Sequence, residues 1–127
     1  LICCLSAYLD EIENPELNIY ELNDKLSWGY DIEHIHANAD GSMEVAEEQL
    51  GLQNSIGNLV LLEYEINRSI QNIPFEQKVN RSDGKLCYRD SKYASIAKIR
   101  KNQQWGIIEM QHRLENEYNR IMRFIWD

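Results

Sequence analysis

The chain is poor in the residues that staple a small domain. It has three cysteines; Cys3 and Cys4 are adjacent, where disulfide geometry is strained, and Cys87 stands alone. Neither a bridge framework nor a Cys-x-x-Cys zinc pair is available, and the cytoplasm is the expected compartment. Only two prolines and six glycines occur, and no internal repeat or low-complexity stretch is visible. No apolar run approaches the roughly 18 residues of a membrane span. The apolar opening Leu1-Ile2-Cys3-Cys4-Leu5 lacks a basic leader and a small-residue cleavage site and soon meets Asp10 and Glu11, so it does not read as a signal peptide. Basic residues are scarce over most of the length: residues 1 to 77 carry 2 against 15 acidic ones.

What is there is the material of one globular domain. Hydrophobic residues make up 43% and charged residues 27% of 127, which suits a single core and excludes wholesale disorder. The net charge of −8 argues at first against nucleic acid. Its distribution is uneven, however. Residues 78 to 101 carry 8 basic and 2 acidic side chains, a basic island of Lys78, Arg81, Lys85, Arg89, Lys92, Lys98, Arg100 and Lys101 in an acidic protein. On charge alone this island reads equally as a solvated face.

Hydrophobic spacing organises the chain. Ile2, Leu5, Leu9 and Ile12 fall at helical intervals, and with no initial Met the opening reads as a helix continuing from a preceding domain. Residues 1–27 are therefore expected to be a helical lead-in and 28–127 the functional domain. Asn14-Pro15 marks a break, and Leu17 to Leu26 reads as a short helix or irregular segment. Alternation from Tyr30 to Ile35 predicts a short strand, ended by Ala37-Asn38-Ala39-Asp40-Gly41. Ser42 to Leu50 looks like a capped helical turn or two closed by Gly51. Leu59 to Leu62 is a second strand, followed from Glu63 by a helix that Asn72-Ile73-Pro74 breaks. Pro74 opens another helix through Val79. Ser82-Asp83-Gly84 is a turn, and Leu86-Cys87-Tyr88 is ambiguous. From Gln104 to Trp126 a long amphipathic helix is expected, with Ile107, Met110, Leu114, Tyr118, Ile121 and Ile125 on one stripe. Trp105 and Trp126 read as core or docking residues.

Four residues could carry chemistry. His34 is a side chain able to take a proton from water near neutral pH. Glu33 offers a carboxylate and Asn67 an amide carbonyl to a hard divalent cation, the group that most directly stabilises charge during phosphodiester hydrolysis. Asn58, just before the second strand, could hold the loop or the imidazole through backbone hydrogen bonds. Each has a bland reading as a surface or turn residue. Glu33 and His34 also point to opposite faces of a regular strand, so both reach one site only if the strand ends or bulges there.

These residues fall in a recognisable order. Glu33-His34-Ile35, Ile56-Gly57-Asn58-Leu59-Val60-Leu61-Leu62-Glu63, Asn67, Asn72-Ile73-Pro74-Phe75 and Lys78 resemble the HNH-type (His-Me finger) domain of GmrSD-like modification-dependent restriction enzymes. The resemblance runs over roughly residues 30 to 126, through Tyr88, Ser91, Trp105, Ile108 and Arg113 to Ile125-Trp126. It implies an α+β fold with a small ββα-metal core surrounded by helices and a long C-terminal helix. It also implies Mg²⁺- or Mn²⁺-dependent cleavage of double-stranded DNA, modified DNA included, in a restriction or anti-phage defence protein whose preceding domain resembles a ParB-like nucleotidase.

Carried over by position, His34 is the general base, Glu33 and Asn67 are metal ligands, and Asn58 is the structure-holding Asn. Lys78 takes either a phosphate contact or an ion pair. The basic residues Lys78, Arg81, Lys85, Arg89 and Lys92 would face DNA phosphates. The family pattern His-Ile-x-Pro is broken here as His34-Ile35-His36-Ala37, which relaxes the turn that directs His34. His36 is either a second ligand or a neighbour, and Glu63, one helical turn before Asn67, is a reserve ligand. Two rivals remain: a catalytically decayed nucleic-acid-binding module, and a helical protein-interaction domain.

Overall fold

A computed structural model describes residues 1–14, 21–37 and 51–126. The expected end of the first strand at residues 38–41, the capped turn at residues 42–50 and the break at Pro15 lie outside the described residues. The architecture is mixed α and β. Helices α1 (Ile2–Glu13) and α2 (Leu22–Ser27) precede strand β1 (Tyr30–His34); strand β2 (Leu59–Glu63) runs directly into α3 (Tyr64–Ile70). Then follow α4 (Phe75–Val79), a 3-10 turn at Tyr88–Asp90, α5 (Ala94–Ile99) and the long α6 (Ile107–Trp126). Among the described residues no helix is long and apolar enough to cross a membrane.

The two strands pair antiparallel from Tyr30↔Glu63 to His34↔Leu59. β2 carries three consecutive buried side chains, Val60, Leu61 and Leu62, because it is covered on both faces. α1 and α5 pack on it, and α3 packs against both strands. Ile66, Ile70, Tyr88, Tyr93, Ile96, Ile99 and Met110 complete the core around it.

In β1 the apolar and polar positions are inverted relative to simple patterning. Ile32 is exposed and Glu33 buried, because the interior offers that carboxylate a cation and a hydroxyl, described below.

The long helix forms where its period places it, yet its buried face is narrower than the expected stripe. Met110, Glu117 and Ile121 are buried, whereas Ile107, Tyr118 and Ile125 are exposed. The helix buries a polar seam instead. Arg120 reaches Asp10 on α1 at 2.6 Å and also pairs with Glu117. Glu117 accepts from Ser6 at 3.0 Å. The opening helix likewise buries Cys3, Ser6, Ala7 and Asp10 and leaves Ile2 and Ile12 in solvent. α5, an element not predicted from the sequence, is fixed to the same seam. Ser95 and Lys98 donate to the two oxygens of Asp10 at 2.5 and 2.7 Å.

Asp10 therefore ties α1, α5 and α6 together. Burial raises its carboxyl pKa, but the hydrogen bonds from Lys98, Ser95 and Arg120 outweigh that and hold it below the ordinary 3.8. A folded-state pKa depressed in this way contributes stability at pH values above the unfolded pKa and loses it as pH falls through the folded one. Asp10→Asn is expected to lower the unfolding free energy by about 3 kcal/mol near neutral pH, as breaking a buried pair does. In urea titrations at a series of pH values the gap between wild type and variant closes below about pH 3.8; a gap independent of pH would contradict this role.

Candidate functional site

Three connections fix the end of β1, where His34 stands. The first is the sheet, which stays regular through His34↔Leu59 and is prolonged by Ile35 N–H donating to the Asn58 carbonyl at 2.9 Å. The second is the Asn58 side chain, which is fully buried. Its Oδ1 accepts from His36 N–H at 2.8 Å and its Nδ2 donates to His36 O at 3.1 Å and Gln53 O at 3.0 Å. The amide thus pairs with both backbone groups of His36 as a further strand residue would.

The third is Lys78 on α4, only 1% exposed. Its Nζ donates to His34 O at 2.8 Å, Ile35 O at 3.1 Å and Glu33 Oε1 at 3.4 Å, so all three ammonium protons have acceptors. Tyr88 OH donates to the other oxygen, Oε2, at 3.1 Å. Burial pushes the Glu33 carboxyl up, against the opposing pull of Lys78 and Tyr88. Burial also pulls the Lys78 ammonium down and pushes the Tyr88 phenol well up.

The Asn58 turn is itself held by α6. Gly57 lies so close that an added Cβ would stand 2.2 Å from the Met110 carbonyl oxygen. Arg113 donates to the carbonyls of Ile56 and Leu59, on either side of the turn.

His34 and Asn67 face one cleft of about 330 Å³ between β1 and α3, bordered also by Ile32, Arg68 and Gln71. His34 is half-buried, with Nε2 3.0 Å from Asn54 Oδ1. With the amide oxygen as acceptor, Nε2 is the donor of this pair and Nδ1 is the ring nitrogen outside it. Asn67 Nδ2 donates to Asp31 Oδ2 at 3.0 Å, which leaves its Oδ1 as the uncommitted atom. Gln71 closes the helix with a φ of 43°, a conformation that side chains other than glycine rarely adopt. A larger cavity of about 380 Å³ lies between α5 and α6. Its Asp10, Lys98 and Arg113 are already bound to one another or to backbone carbonyls.

The structure puts His34 and Asn67 on one cleft, buries Asn58 behind the strand end on His36 and Gln53, and treats the remaining expected residues differently. Glu33 borders the cleft, but it points away from the His34 face, because the strand neither ends nor bulges before His34 and both of its oxygens have partners. Of the two roles open for Lys78, the structure shows the ion pair, buried and not at the surface: with three acceptors the ammonium has no proton left for DNA.

Glu63 accepts from Ser91 Oγ at 2.7 Å and Lys92 N–H at 2.8 Å, which ties the segment leading into α5 to the end of β2. Arg81 donates to Ser69 O and Asp83, and Arg89 to Asn80 and the carbonyls of Arg81 and Lys85. Lys85 and Lys92 are exposed.

The spacing reading missed Asp31, Asn54, Tyr88 as a carboxylate partner, and Arg68. Asp31 alternates with Glu33 and so was visible in principle; the others are brought in by tertiary contacts that no spacing encodes.

Among the described residues no three His, Cys, Asp or Glu side chains stand close enough to hold a metal ion. The oxygen donors lining the cleft include the Asn67 carbonyl oxygen and the Glu33 carboxylate, the latter held by Lys78 and Tyr88. That set suits a cation such as Mg²⁺, which keeps several waters and takes one or two protein ligands together with substrate phosphate oxygens.

The Lys78 clamp makes a testable claim. Lys78→Met is expected to cost about 3–5 kcal/mol in urea unfolding, since it strands a buried carboxylate. Adding Glu33→Leu is expected to restore most of that loss; a double variant no more stable than the single one would show that the two groups do not act as a pair.

A sequence model of the C-terminal domain of GmrSD restriction endonucleases matches residues 2–116. No curated protein and no solved structure matches the chain.

Proposed function

The chain belongs to the family of GmrSD restriction endonuclease C-terminal domains, a restriction-related nuclease family, and from that membership we propose that it is an HNH-type, metal-dependent DNA endonuclease domain. The observation that carries this reading is the cleft shared by His34 and Asn67. His34 is the general base: with Nε2 hydrogen-bonded to Asn54, Nδ1 is the atom that takes the proton from the attacking water. Asn58 and Lys78 are positioning residues that fix the peptides around the imidazole from opposite sides.

Asn67 Oδ1, with substrate phosphate oxygens, would hold a divalent cation, Mg²⁺ or Mn²⁺. Glu33 would join them only by exchanging Lys78 and Tyr88 for the ion. Bound there, the cation supplies positive charge to the phosphoryl oxygens and the leaving group. Exposed Lys85 and Lys92, with Arg81 and Arg89 beside them, would make phosphate contacts, which position a duplex without reading its sequence. Recognition of modified bases and a ParB-like nucleotidase partner domain belong to this proposal as properties of the whole protein.

The decayed-module rival draws on the missing proline at Ala37. That loss weighs less once the Asn58 and Lys78 side chains already clamp residues 34 to 36 by four hydrogen bonds.

In the full-length protein, supercoiled plasmid with Mg²⁺ or Mn²⁺ is expected to be nicked or cut. His34→Ala is expected to slow this by about 100-fold or more, while DNA affinity measured by fluorescence anisotropy is unchanged. Cleavage at the wild-type rate by His34→Ala would end the assignment.

A further inference from the structure

Arg68 stands apart from the other arginines. Arg81, Arg89, Arg113 and Arg120 donate to carbonyls or carboxylates of the same domain. Arg68 is exposed, and among the described residues no carboxylate or carbonyl accepts from its guanidinium. Its contact is with the Tyr64 ring one helical turn earlier, whose centroid lies 3.8 Å from the guanidinium carbon. The residue borders the same cleft as His34 and Asn67.

A guanidinium stacked on an aromatic face is restrained in direction and still has its N–H fork free, the arrangement best suited to a bidentate phosphate contact. The first 77 residues hold one other cation, Lys25, which is buried against Glu11 at 2.7 Å. The cleft therefore draws its positive side chain from Arg68 and not from the basic island further along the chain.

We infer that Arg68, aligned by Tyr64, is the phosphate-contact residue of the cleft and grips the backbone phosphate presented to His34. This rests on the nuclease reading above. Gln71, held at the other end of the same helical turn with its φ of 43°, borders the place where that backbone would pass.

The test compares wild type, Arg68→Ala, Arg68→Lys, Arg123→Ala and His34→Ala in the full-length protein. Binding of a labelled DNA duplex is followed in EDTA at graded salt, and plasmid cleavage in Mg²⁺ or Mn²⁺. Arg68→Ala is expected to reduce the slope of log affinity against log salt by about 0.9, the value for one phosphate. It is also expected to lower kcat at saturating DNA on the order of ten- to hundredfold, as loss of one aligned donor does. Arg68→Lys keeps the charge but not the fork and falls between. Arg123→Ala, an exposed cation on α6 outside the cleft, leaves kcat intact.

An Arg68→Ala protein with wild-type kcat, alongside an inactive His34→Ala, overturns the inference and leaves the nuclease reading standing. A wild-type protein that neither binds nor cuts DNA at low salt removes both.

Discussion

One buried ammonium governs the end of β1. Lys78 is bound to a carboxylate and to two consecutive peptide carbonyls, those of His34 and Ile35. A charge removed from water at such a place is tolerated only when every proton is accepted. The requirement works in both directions: the carbonyls cannot swing away without leaving the ammonium unsatisfied, and α4 cannot shift without leaving Glu33 alone. Tyr88 closes the remaining side of the carboxylate. Conformational freedom is thereby removed from the peptides that carry the imidazole.

The opposite side of the same turn is neutral. Asn58 supplies an amide that copies strand pairing to His36, and its own turn is pressed on α6 at Gly57 and gripped by Arg113. The long helix, distant in sequence from His34, is thus mechanically connected to it through two residues. α1 and α5 brace that helix in turn through Asp10 and Arg120. A rigid frame around a short strand end is what a site needs when the reacting side chain sits on only a few residues of regular structure.

Much of this arrangement was legible because backbone patterns are local. Tyr30 to Ile35 and Leu59 to Leu62 alternate or run apolar over strand length, Pro74 has a fixed place at a helix start, and the tail has a helical period; each element forms within one to three residues of its expected bounds. The opening helix, placed by Ile2, Leu5, Leu9 and Ile12, is present, but the face it buries is the one bearing Ser6 and Asp10. Buried polar networks defeat hydrophobic patterning in this way. Asp10, Glu33, Lys78 and Glu117 read as surface residues until their partners, 43 or more positions away in the case of Glu33 and Lys78, are in place. The expected roles of His34, Asn58 and Asn67 came from ordered motifs; the structure puts His34 and Asn67 on one cleft and Asn58 against the backbone of His36. Lys78 and Glu63 were given outward roles because no local signal distinguishes a surface charge from one that will find an internal partner.

The same networks alter the meaning of the charge count. The formal −8 includes cations that never meet solvent in a form able to attract DNA: Lys25 and Lys78 are buried in pairs, and Arg113 is bound to backbone carbonyls. The basic island is correspondingly weaker than its eight residues suggest, since Lys78 faces inward, Lys98 holds Asp10, and the guanidiniums of Arg81 and Arg89 fasten the loop that carries them. Over a Debye length of about 8 Å in physiological salt, attraction depends on which cations stand beside the phosphate and not on the total. A single stacked guanidinium at the mouth of the His34 cleft then outweighs a longer run of lysines elsewhere, and an acidic domain remains compatible with a polyanionic substrate.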